Sequence, residues 1–196
     1  MPSKPRLPAK LPLAVAALVA LTACTGVTVS RVDHANQYDP LQASAAGGGD
    51  RQMQVVILGN PFDMPQPALE KAVIDAMQSN PFSVPINFAI NPENPDLSRP
   101  YRVVLAFNPE GIRDPGKLCE STGSLKSAAP ADGKVTLMGA FCSSDSYLSH
   151  GIARARDVAG TGSEKFDNMI FQLTISLFPS RNPHDQSAGE PPIPAT

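Results

Sequence analysis

The chain predicts an α+β fold: a small mixed or antiparallel sheet with two helices packed on one face. Three observations carry that expectation. Apolar runs of strand length recur between residues 52 and 155, and two other stretches space their apolar residues at three and four. The elements come in the order strand, helix, strand, strand, hairpin partner, helix, which is not the strict alternation of a parallel α/β sheet.

The first run, Gln52 to Gly59, holds Val55, Val56, Ile57 and Leu58 without a polar break and stops at Gly59-Asn60-Pro61, as a strand covered on both faces does. Leu69, Ala72, Val73, Ala76 and Met77 then form one helical stripe, giving a helix over 65–78. Pro65 and Pro67 fall in its first turn, where amide protons have no intrahelical partner. Residues 81–100 contain five prolines and read as loop, with Ile86 to Ile90 as a strand candidate. Tyr101 to Phe107 is a stronger strand, ended by Asn108-Pro109-Glu110-Gly111.

A long polar loop over 112–133 carries Cys119. Lys134 to Cys142 is the next strand, and after Ser143-Ser144-Asp145-Ser146 its hairpin partner runs from Tyr147 to Ala155. Strict alternation puts Tyr147, Ser149 and Gly151 on one face and Leu148, His150 and Ile152 on the other. The last helix begins after Ser163, a suitable N-cap, with Glu164 at the positive end of the dipole. Phe166, Met169, Ile170, Leu173 and Leu177 make its apolar face, and Pro179 ends it.

The amino end is of another kind. Lys4, Arg6 and Lys10 precede an apolar stretch, Leu11 to Leu21, about half the length of a membrane-spanning helix. It closes on Leu21-Thr22-Ala23-Cys24, which resembles the lipobox of bacterial lipoproteins. That resemblance implies removal of residues 1–23 as a signal peptide and acylation of Cys24. It also implies a lipid anchor in the cell envelope, of the strength that two or three acyl chains provide. Thr25 stands where inner-membrane retention would call for aspartate, so the expected address is the periplasmic face of the outer membrane. The phrases Gly59-Asn60-Pro61-Phe62 and Leu177-Phe178-Pro179 are similar to those of small proteobacterial envelope lipoproteins of unassigned role.

With Cys24 given to lipid, Cys119 and Cys142 remain as an even pair in an oxidising compartment, and a disulfide between them is expected. Two buried free thiols are the alternative, and metal ligation is less favoured because neither has a Cys or His at ligand spacing. Residues 24–50, with Ala43-Ser44-Ala45-Ala46 and Gly47-Gly48-Gly49, read as the lipidated cysteine and a flexible tether reaching on the order of 25 to 30 Å. Val27, Val29 and Val32 nearly alternate and offer an edge strand instead. Residues 51–179 then form a single α+β domain, and 180–196 a disordered Pro-rich tail whose Pro191-Pro192-Ile193-Pro194 has the composition of a polyproline ligand.

Of 16 Lys+Arg, three lie in the leader, leaving 13 against 18 Asp+Glu, a net charge of −5 without the basic footprint of a nucleic-acid binder. Of three histidines, His34 falls in the tether and His184 in the tail, so His150 is the imidazole expected inside the fold. Beside Ser143, Ser144, Asp145 and Ser146 it suggests a hydrolase triad, but no Gly-x-Ser-x-Gly elbow presents a nucleophile. Gly160-Thr161-Gly162-Ser163-Glu164-Lys165 lacks the Gly-Lys-Ser/Thr ending of a phosphate loop. Asp63, Glu70, Glu110 and Asp114 read as surface charge. No catalytic residue, cofactor or metal site is assigned. The expected role is non-enzymatic: a lipoprotein, membrane-bound through Cys24, that binds or positions another envelope protein or a cell-wall component. The alternatives are a small-ligand or lipid carrier, and a hydrolase using His150.

Overall fold

The computed structural model describes residues 26–79, 85–120 and 125–185. The expected signal peptide, Cys24 and the polyproline phrase lie outside them. In chain order the elements are β1 (Val27–His34), α1 (Pro40–Gly47), β2 (Met53–Leu58), α2 (Gln66–Gln78), β3 (Phe88–Ala89), β4 (Tyr101–Phe107), β5 (Lys134–Ser143), β6 (Ser146–Arg156) and α3 (Glu164–Leu177), with 3₁₀ turns at Pro95–Leu97 and Pro115–Glu120.

The six strands form one mixed sheet in the order β1-β6-β5-β4-β2-β3. β2 runs parallel to both β3 and β4, and the remaining pairs are antiparallel. The fold is α+β, with α2 and α3 on the same face: Leu69, Val73 and Met77 share a core with Phe166, Met169, Ile170 and Leu173 over Val55, Val103, Leu105 and Leu137. Phe107 and Phe166 stack there with planes 9° apart. Packing is tight enough that a Cβ on Gly139 would meet Leu173 Cδ2 at 2.9 Å and Leu105 Cδ2 at 3.1 Å. At the end of β2, Gly59 (φ +77°) makes the turn the chain needs, and a side chain there would also strike the Phe107 carbonyl oxygen at 2.7 Å.

The second face is covered by residues 112–120 and 125–127, not by a helix. Leu118 and Cys119 of its 3₁₀ turn are fully buried against Val104, Ala106, Met138, Ala140 and Ile152. Cys119 and Cys142 are disulfide-bonded, with Cα atoms 5.6 Å apart. The Arg102 guanidinium donates to the Cys119 carbonyl at 2.6 Å, holding the same turn from β4. The stretch read as a polar surface excursion is therefore a lid on the sheet.

The structure departs from the sequence reading at both ends of the domain. Residues 27–47 are not a tether: β1 pairs antiparallel with β6, and α1 follows it. Asp39 caps α1 by accepting from the Leu41 amide, and Pro40 opens it. The small residues order here because they permit close approach. Ala43, Ala46 and Gly47 are buried, and a Cβ on Gly47 would lie 2.6 Å from Ile86 Cγ2. The tail, too, begins later than 180. Asn182 is only 4% exposed, and its amide donates to the carbonyls of Asn36 (2.9 Å) and Tyr38 (3.0 Å). The strand candidate 86–90 shrinks to Phe88–Ala89.

Candidate functional site

At the end of the sheet where β1 finishes, a cleft of about 650 Å³ opens between the β1–α1 connection, the β5–β6 turn and the 3₁₀ turn of the lid. Two strand irregularities shape it. In β6, Cys142 pairs with Tyr147 and Phe141 with Ser149, so Leu148 is left over as a bulge. Leu148 turns into the helix-side core, and Ser149 donates to the Leu177 carbonyl on the same side. The alternation expected for this strand is therefore wrong by one residue at its start. Tyr147 shares a face with His150, their ring centroids 4.6 Å apart in an edge-to-face arrangement.

In β1 the register shifts between Ser30 and Asp33, with Arg31 at φ 51°. The shift brings Asp33 beside that pair: the Tyr147 hydroxyl donates to Asp33 Oδ2 at 3.0 Å. This bond, before burial, raises the Tyr147 pKa by favouring the protonated phenol. Asp114 enters from the lid, its Oδ1 accepting from the Gly116 amide at 3.0 Å.

His150 sits at the centre, 8% exposed. Its Nε2 lies 3.9 Å from Asp33 Oδ2 and 3.9 Å from Asp114 Oδ1, too far for direct hydrogen bonds. Its Nδ1 is buried with no hydrogen-bond partner among the described residues. An orphaned N–H in that position costs more than an orphaned lone pair, which favours the tautomer that carries its proton on Nε2, toward the carboxylates. A hydroxyl that accepts from Nε2 and donates to either carboxylate would complete the geometry.

The other two histidines are also in the fold, against expectation. His34 donates from Nε2 to the Ser176 carbonyl at 2.9 Å, and His184 donates from Nε2 to the His34 carbonyl at 2.8 Å. Burial lowers the His34 pKa, and the hydrogen bond to Ser176 opposes part of that shift. Both line the cleft, with Asn36, Gln37, Lys117, Glu120 and Asp145. Lys117 is engaged with Glu120 at 2.6 Å, and that hydrogen bond raises its pKa. Asp33, Asp114, Glu120 and Asp145 against Lys117 leave the cleft acidic.

No serine hydroxyl bonds either ring nitrogen of His150 among the described residues. Nor do those residues contain a group of His, Cys, Asp and Glu suited to a metal ion. Sequence reasoning singled out His150 but missed Asp33 and Tyr147 as its neighbours, because two bulges set their faces. Asp114 is mostly exposed, as its reading as surface charge expects, and yet it lines the cleft.

No protein-family model matches the chain, and no curated protein does. Among solved structures, a point variant of the PelC dodecamer from Paraburkholderia phytofirmans matches at 14% identity and TM-score 0.43, covering 79% of this chain and 99% of that one. A second PelC dodecamer from the same organism matches at 12% identity and TM-score 0.40, covering 80% and 99%. These likenesses are too distant to carry function across.

Proposed function

We propose that the chain is a membrane-anchored periplasmic lipoprotein of non-enzymatic role, which holds a cationic group of another envelope component in the acidic cleft around His150. The observation that carries this reading is the acidic lining of the cleft, where Asp33, Asp114, Glu120 and Asp145 converge and the Asp33 and Asp114 carboxylates each stand 3.9 Å from His150 Nε2. The leader and Cys24 supply the compartment, and no helix among the described residues is long and apolar enough to cross a membrane.

Cross-linking in intact cells tests it. Capture of a defined partner by the wild type, and its loss with Asp33→Asn plus Asp114→Asn, is the expected result. Turnover of a substrate by a protein that captures nothing would refute the reading. The carrier alternative gains no support where helices meet sheet, since Gly139 is pressed by Leu105, Leu173 and Leu177 in the space a cargo would need.

A further inference from the structure

The strand that replaces the tether changes where the domain sits. Only Thr25 and Gly26 separate Cys24 from Val27, the first residue of β1. Three residues span at most about 11 Å, so a lipid on Cys24 would hold that end of the sheet against the bilayer surface. β1 has eight residues and rises by about 3.4 Å at each, which places the His34 end, with the acidic cleft, roughly 24 Å farther out.

The near end is chemically distinct. On the lid-side face, Lys134 stands directly opposite Arg156 in the β5–β6 register, and Thr136 opposite Arg154. Arg154 donates to Ser30 Oγ at 2.9 Å on the same face, whereas Arg31 and Arg113 lie farther along, beside the cleft residues Asp33 and Asp114. None of Lys134, Arg154 and Arg156 forms an ion pair among the described residues. Lys165 joins Lys134, Arg154 and Arg156 at this end, where the acids are Asp132, Asp157 and Glu164. Like charges directly across a strand pair destabilise a sheet unless something compensates them. In a mature chain of net charge −5, such clustering is a local feature and not a reflection of composition.

We infer that this cationic end of the sheet seats the domain on the anionic phospholipid surface to which Cys24 is attached, turning the acidic cleft toward the periplasm. The inference rests on the lipoprotein reading above. Phosphate headgroups would supply the missing counter-charge for Lys134 and Arg156, and basic residues near an anionic leaflet add attraction that fades within a Debye length. The lipid and the face then act as two signals, one for attachment and one for orientation.

The test uses the acylated mature protein on vesicles of phosphatidylcholine alone or with 30% phosphatidylglycerol (about that fraction suffices for a negative surface potential). A water-soluble amine-reactive label is applied and each lysine is read by mass spectrometry. Lys71, exposed on α2 at the opposite face, is the internal control. Lys134 is expected to label about tenfold more slowly on the anionic vesicles than on the neutral ones, with Lys71 unchanged. The difference should vanish at roughly 0.5 M salt, where screening is short-ranged. It should also vanish with Arg156→Glu, an exposed position outside the core and directly opposite Lys134. Equal labelling of Lys134 on the two vesicles, in protein that floats with both, overturns the inference. Protein that remains in solution with both vesicle types refutes the acyl anchor instead.

Discussion

The rings of Tyr147 and His150 meet edge to face at 4.6 Å, three residues apart on a strand whose pleat would separate them, because Leu148 bulges out between them. Gly116 of the lid lies flat against both. A Cβ there would come within 2.9 Å of Tyr147 Cδ1 and 3.2 Å of His150 Cδ2. Gly116→Ala is therefore expected to destabilise the fold by about 1–3 kcal/mol through overpacking. Thermal melting measures the loss, and tryptic cleavage near Lys117 should quicken if the lid is what yields.

The lid depends on the Cys119–Cys142 bridge more than on regular structure, since its one element is a 3₁₀ turn. The bridge closes a separation of 23 residues, for which the chain-entropy model gives about 3 kcal/mol. Cys119→Ala plus Cys142→Ala should lower the urea unfolding free energy by about 2–4 kcal/mol. Hydrogen exchange should rise first at 112–120, the segment that brings Asp114 and Glu120 to the cleft. A loss spread evenly over the sheet would count against this account.

Much of the fold was legible in the sequence where local signals agreed. β4 and α2 appear within a residue of their expected limits, because Pro65, Asn108 and Pro109 punctuate the apolar runs. Ser163 caps α3 as predicted, accepting from the Phe166 amide. What could not be read was context. Ala43, Ala46 and Gly47 bury little area and look like linker, but all three are buried, and Gly47 fits against Ile86, a partner set by the fold. The candidate site suffered most, because Asp33, Tyr147 and His150 come together only through two register shifts. His34 and His184 were placed in flexible ends for the same reason: the segments holding them pair with each other, 150 residues apart.

That pairing is closed by Asn182. Its amide donates to Ala35, Asn36 and Tyr38, and its own oxygen accepts from the His184 amide at 3.0 Å. Asn182→Ala strips donors from these carbonyls, the Tyr38 bond among them buried, and should cost about 1–3 kcal/mol, more than an exposed tail residue could. Asn182→Asp, which has no amide donor, should cost at least as much. A change within about 0.5 kcal/mol in either variant, the range of ordinary surface positions, would show that the segment contributes nothing to the domain.

His34 gives the domain an acid sensitivity whose sign follows from its surroundings. Burial disfavours the imidazolium, and the nearby His184 and His150 disfavour it further. The Asp33 carboxylate and the Ser176 carbonyl favour it, but the balance leaves the folded-state pKa below the ordinary value of 6.5. Above that value both states hold a neutral ring and His34 contributes no pH dependence. As pH falls below it, the unfolded chain takes up the proton more readily, so stability declines until the folded-state pKa is passed. The contribution is at most about 1.4 kcal/mol per pH unit for one proton. Urea denaturation between pH 7.5 and 5 should therefore show a steeper decline for the wild type than for His34→Gln, whose amide can still reach the Ser176 carbonyl. Parallel profiles for the two proteins would assign the acid response to other groups, and a wild type that gains stability toward pH 5 would reverse the sign derived for this ring.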